Sequence, residues 1–213
     1  MERPKINKRK ITNDWQKYCP ELSKLRMLDI DNRVGSLVIG FYLQIIGDGT
    51  IYMPLYKGGN LYSHYSVLPS SLEIEGRSMD MQMHEIYSEQ IAQQLIQKAY
   101  IPLQGEVTFE DVKNGYERYF KNPNKGTIVE YEDYVYISSW TRKKELFDNA
   151  LHTVYNELKS WPEERYFVRD GGFKNWMLEL EKKASNHEVL EANYRMKFEK
   201  YKIEKLPERP FCF

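Results

Sequence analysis

Val34-Gly35-Ser36-Leu37-Val38-Ile39-Gly40-Phe41-Tyr42-Leu43-Gln44-Ile45-Ile46-Gly47-Asp48-Gly49-Thr50-Ile51 is the stretch on which the architecture turns. Leu37, Ile39, Phe41, Leu43 and Ile45 alternate strictly, while Val38, Tyr42 and Ile46 fall on the opposite face. That period belongs to a strand with one buried face and a second face at least partly covered. Gly47-Asp48-Gly49-Thr50 supplies the positive φ of a tight turn, and Ile51, Met53 and Leu55 resume the alternation, so a β-hairpin is predicted. Pro54 cannot donate to a ladder, which places its nitrogen away from a neighbour or its strand at an edge. Lys57-Gly58-Gly59-Asn60 reads as the next turn and Leu61 to Leu68 as a third strand, completing an antiparallel meander.

Outward from the meander the period becomes helical. Ile91, Ala92, Leu95, Ile96 and Ala99 mark an amphipathic helix from about His84 to Tyr100. Thr108 ahead of Glu110 and Asp111 is an N-cap signal for a helix through Phe120. On the N-terminal side, Thr12, Asn13 and Asp14 offer caps for a short helix before Pro20. Asn122-Pro123-Asn124-Lys125-Gly126 reads as a turn. Thr127 to Trp140, rich in Val129, Tyr131, Val135, Tyr136 and Ile137, reads as a strand or hairpin bent at Glu132-Asp133. Thr141 then caps a long helix with Leu146, Phe147, Ala150, Leu151, Val154, Leu158 and Trp161 on one stripe. Pro162 can start another helical segment, Asp170-Gly171-Gly172 precedes a stripe from Phe173 to Leu180, and a last helix spans about Asn186 to Ile203. A single α+β domain over residues 1–213 results, an antiparallel meander in the first half packed by amphipathic helices, with a helical C-terminal third.

The chain has 213 residues with 31 Lys+Arg against 31 Asp+Glu. Zero net charge excludes a broadly basic nucleic-acid coat and an acidic tail protein. At 41% hydrophobic and 29% charged residues, the chain can bury enough apolar surface to fold. Two cysteines, Cys19 and Cys212, are too few for a disulfide scaffold and suit a reducing cytoplasm. The N-terminus lacks an apolar segment behind its charges, and Val34 to Ile46 is too short and too polar to cross a bilayer, so no membrane association is expected. Arg3, Lys5, Lys8, Arg9 and Lys10 form the clearest charge asymmetry, read as a flexible basic arm over residues 1–10.

Chemistry-bearing motifs are sparse. His64, His84, His152 and His187 have no spacing that preorganises a zinc site, so no metal is expected. His152 falls between core positions and reads as a partly buried ring. His64 shares a predicted strand face with Tyr62 and Ser66, the one histidine given a polar cluster by alternation. Asp29 and Asp31 share a face if extended, as do Glu73 and Glu75, and Glu130 lies near Glu132 and Asp133. None is followed by the lysine that a metal-dependent nuclease places two residues beyond its acid, so these read as solvated faces and turns. The glycine pairs lack the spacing of phosphate-binding loops, and there is no Gly-x-Ser-x-Gly elbow. No catalytic residue and no cofactor is assigned.

The distinctive feature is aromatic: 17 Tyr, 9 Phe and 4 Trp. Tyr52, Tyr56, Tyr62, Tyr134 and Tyr136, with His64, fall where the pattern predicts an outer sheet face. Tyrosine combines a large rigid contact area with a hydroxyl, the combination favoured at interfaces. These six residues are therefore the predicted partner-binding surface, unless helices of the second half cover them. The build, an antiparallel sheet followed by helices without a cofactor motif, resembles the small immunity and accessory proteins of bacterial conflict systems. That resemblance implies a non-catalytic protein-binding module engaging one partner. Two alternatives are a hydrolase assembled from scattered acids and His64, and a nucleic-acid-binding protein using Arg3, Lys5, Lys8, Arg9 and Lys10.

Overall fold

A computed structural model describes residues 4–68, 70–122, 127–162 and 172–212. Strands β1 (Ser23–Arg26), β2 (Asp29–Val34), β3 (Leu37–Ile46), β4 (Ile51–Asn60) and β5 (Ser71–Glu75) lie side by side in chain order, each antiparallel to the next. The predicted hairpin is β3 and β4, paired from Leu37↔Asn60 to Ile46↔Ile51, and Gly47 and Gly49 supply the positive φ its turn requires (61° and 90°). Pro54 lies in an interior strand, in the gap between the β4–β5 ladder and an isolated Tyr52↔Met79 bridge. There its carbonyl accepts from the Gly76 amide.

Two expectations in this region are corrected. Lys57-Gly58-Gly59-Asn60 is not a turn but the end of β4, because Gly58 and Gly59 take extended backbone and pair with Ile39 and Val38. Leu61–Leu68 is consequently irregular, and the next strand is β5.

The helices are α1 (Lys8–Tyr18), α2 (Met81–Lys98), α3 (Phe109–Phe120), α4 (Ile128–Trp140), α5 (Lys144–Leu158), α6 (Gly172–Ser185) and α7 (His187–Lys200). Thr108 caps α3 with a reciprocal Asp111 contact, as its spacing predicts. α1 starts earlier than expected: Asn7 accepts from Lys10, and Thr12 and Asp14 lie inside the helix. Thr127–Trp140 is a helix, not a strand. Thr127 and Glu130 form a capping box, and all ten residues from Glu130 to Ser139 are buried. A helix enclosed on every side shows no apolar stripe, so its β-branched and aromatic residues imitate a buried strand. Thr141 ends this helix instead of starting α5, whose N-cap is Lys143. The expected features at 123–126 and 163–171 lie outside the described residues.

The two faces of the sheet differ. Ile30, Val34, Leu37, Ile39, Phe41 and Leu43 join Trp15, Ala92, Leu95, Tyr116 and Val135 in one continuous core. Val38 faces the other way and joins Leu61, Ile203 and Leu206 in a smaller cluster. α7 and the short 3-10 turn Ile203–Lys205 thus cover one end of the outer face. Chain beyond the turn forms β7 (Glu208–Arg209), parallel to β2 where β1 stops, and β8 (Phe211–Cys212), parallel to β6 (Val107–Thr108). The remainder of the outer face is open.

Candidate functional site

The predicted tyrosine surface is interior. Tyr52, Tyr56, Tyr62, Tyr134 and Tyr136 are all buried; for Tyr52 and Tyr56, helices and the 99–105 loop cover the sheet face that alternation assigned to solvent. Tyr52 Oη accepts from Trp15 Nε1 (3.0 Å) and so donates to His84 Nδ1 (2.7 Å), leaving His84 Nε2 to donate to Asp14 Oδ2 (3.2 Å). Tyr56 donates to the Ile101 carbonyl and accepts from its amide. Tyr62 donates to Glu191, and Tyr134 stacks on Tyr116. Tyr134 and Tyr136 sit on α4, not on a strand.

His64 lies in the 61–68 loop, its side chain 32% exposed. Its Nδ1 is 3.1 Å from Tyr136 Oη and 3.4 Å from Glu132 Oε2, and Glu132 Oε1 accepts from Trp176 Nε1. Burial, with Lys183 and Lys197 nearby, pushes His64 down to about 4, while burial raises Glu132. The cluster therefore ties the loop and α6 to α4 with a neutral imidazole. His152 is exposed and pairs with Asn156. Among the described residues, no group of three or more His, Cys, Asp and Glu could hold a metal ion.

The open part of the outer face carries a cleft of about 650 Å³, within the range of ligand sites. Its floor follows from register. Asp31, Gly40 and Lys57 are directly opposite one another on β2, β3 and β4, and Asp29 shares the Asp31 face two residues away. Lys57 Nζ reaches Asp29 Oδ1 at 2.9 Å and Asp31 Oδ1 at 3.0 Å. Gly40 makes that possible: a Cβ there would lie 2.0 Å from the Ile30 carbonyl oxygen and 2.7 Å from Asp31 Oδ1. Arg26 Nε donates to Asp29 Oδ2 at 2.8 Å from the cleft rim. Leu25, Val38, Leu55, Leu68 and Tyr201 make the walls apolar.

The two carboxyls are driven apart electrostatically. Burial opposes ionisation of Asp29, but Lys57, with Arg26, outweighs it and lowers that carboxyl. For Asp31, burial and the neighbouring Asp29 outweigh Lys57 and push it up to about 7. Burial disfavours the Lys57 ammonium, but the two acids overcome this and raise it, so Lys57 stays charged.

Backbone strain gathers at the same place. Four non-glycine residues among those described have positive φ: Leu28 (70°), Leu72 (55°), Lys202 (55°) and Arg142 (57°). Leu28 immediately precedes Asp29, Leu72 precedes Glu73 at the rim, and Lys202 itself lines the cleft. Each costs on the order of 1–2 kcal/mol, and such strain persists where a site requires it.

Asp29 and Asp31 were recognisable as a same-face pair, but Lys57 was missed because it arrives from two strands away. Its signal was Gly40, a glycine flanked by the apolar Ile39 and Phe41 in β3. The basic residues divide: Arg3 lies outside the described residues, Lys5 is exposed ahead of α1, and Lys8, Arg9 and Lys10 form its first turn. Arg9, Lys10, Lys17 and Lys24 border an open groove, where Lys10 pairs with Asp14 and Glu85. Comparison with protein-family models, curated proteins and solved structures finds no match.

Proposed function

We propose that this chain is a non-catalytic protein-binding module whose recognition element is the cleft on the outer sheet face. The observation that supports the reading is an apolar-walled concavity closed by a fixed ionic floor, in which Lys57 holds both acids and both oxygens of Asp29 are occupied. Pockets of this kind receive the anchoring side chains on which binding energy concentrates. An immunity or accessory role, which the architecture resembles, is one form such a module takes. Both cysteines are free thiols, in keeping with a reducing cytoplasm, and no helix among the described residues is long and apolar enough to cross a membrane.

A photo-crosslinking side chain at Gln44, on the cleft, should attach one stoichiometric partner protein, whereas the same probe at Ile86 on the distant α2 should not. Equal crosslinking from both positions would sink the assignment. The second reading, a hydrolase, rests on the opposed displacement of Asp29 and Asp31, a pattern that acid–base pairs use. It requires turnover that Asp29→Asn abolishes.

A further inference from the structure

The ionic groups of the cleft are unequally spent. Asp29 Oδ1 is taken by Lys57 and Oδ2 by Arg26, and Glu73 Oε1 accepts from Ser70. On the cationic side, Lys57 Nζ forms ion pairs with both acids, and its side chain keeps 14% exposure where it lines the cleft. Arg26 uses only Nε, and its side chain is 68% exposed. Lys202 lines the cleft from a left-handed backbone position. Lys200 adds a fourth cation, bonded to the Ser66 carbonyl. Four cations thus face two lining acids, Asp29 and Glu73, an excess of positive charge. The walls between them are apolar.

Resting on the cleft as the recognition site, we infer that the bound segment of the partner protein presents an acidic side chain flanked by apolar residues, its carboxylate facing the unspent donors of Arg26, Lys57 and Lys202. Charge-assisted bonds to a carboxylate would satisfy donors that now face solvent. The flanking apolar residues would cover Leu25, Leu55 and Leu68.

The test uses the full chain and three capped peptides, Leu-Glu-Leu, Leu-Gln-Leu and Leu-Lys-Leu, at millimolar concentration, followed by backbone amide shifts. The acidic peptide should move the resonances of Leu25, Lys57 and Lys202, less so as salt is added. Lys202→Glu and, separately, Arg26→Glu should each weaken it about tenfold. Equal binding of the lysine peptide in the cleft, or indifference to both charge reversals, overturns the acidic assignment and leaves the cleft standing. Hexanoate binding as tightly as the acidic peptide overturns the protein segment in favour of a small carboxylic acid. Failure of every probe to touch the cleft overturns the recognition site itself.

Discussion

Removing the charge from Lys57 separates a functional floor from a structural one. In Lys57→Met, the buried carboxyls of Asp29 and Asp31 lose the ammonium 2.9 and 3.0 Å away. Breaking a buried ion network by deleting one partner costs about 3–5 kcal/mol, equivalent for a chain of this size to roughly 6–20 °C in Tm. Replacing the whole network is a different matter. Asp29→Val, Asp31→Val and Lys57→Met together leave no buried charge, and such replacements are neutral or stabilising by about 1–4 kcal/mol. Arg26, mostly exposed, finds water instead. Urea unfolding of the three proteins at neutral pH measures both effects, with constant m-values confirming that only stability has changed. The single variant should be severely weakened, and the triple variant should match or exceed the parent while losing its partner. The penalty of the single variant should also shrink below about pH 4, where the unfolded chain's carboxyls are protonated as well. A loss under about 1 kcal/mol for Lys57→Met, or a triple variant as unstable as the single, would show that Lys57 does not neutralise a buried charge.

Asp31 loses its proton near 3.8 when unfolded and at about 7 when folded, so the folded chain holds a proton that the unfolded chain has released, and stability falls as pH rises between those values. Asp31→Asn should flatten that part of a stability–pH curve. Asp14 behaves oppositely: burial resists its ionisation, but Lys10, His84 and Lys17 outweigh it and hold the carboxyl at about 2 against 3.8. Its contribution is present above pH 4 and lost as pH falls toward 2, so Asp14→Asn should reduce acid sensitivity in that window, read by circular dichroism. Tyr52→Ala and Tyr56→Ala, each emptying a fully buried site, should cost about 3–5 kcal/mol; losses below about 1 kcal/mol would return these residues to the surface.

The β3–β4 hairpin was legible because β3 has one face in the core, so period 2 is imposed along Leu37, Ile39, Phe41 and Leu43. α3 was legible because its Thr108 cap acts locally. α4 was not, because complete burial erases the one-sided pattern by which a helix is recognised. The same cause misplaced the tyrosines: alternation shows that Tyr52 and Tyr56 share a face but not that α2 and the 99–105 loop lie over it. Gly58 and Gly59 misled because a glycine permits a turn without requiring one. As for the site, the acid pair was readable within β2. Its cation depends on the register of three strands, which no local spacing records.

The outer-face cleft is the proposed place where this protein meets its partner. Native mass spectrometry of the parent chain and of Gln44→Trp, each purified gently from the source organism, tests it most directly, because Gln44 is exposed and lines the cleft. A stoichiometric protein partner held by the parent and lost from Gln44→Trp is the predicted result. The same partner retained undiminished by Gln44→Trp would contradict it.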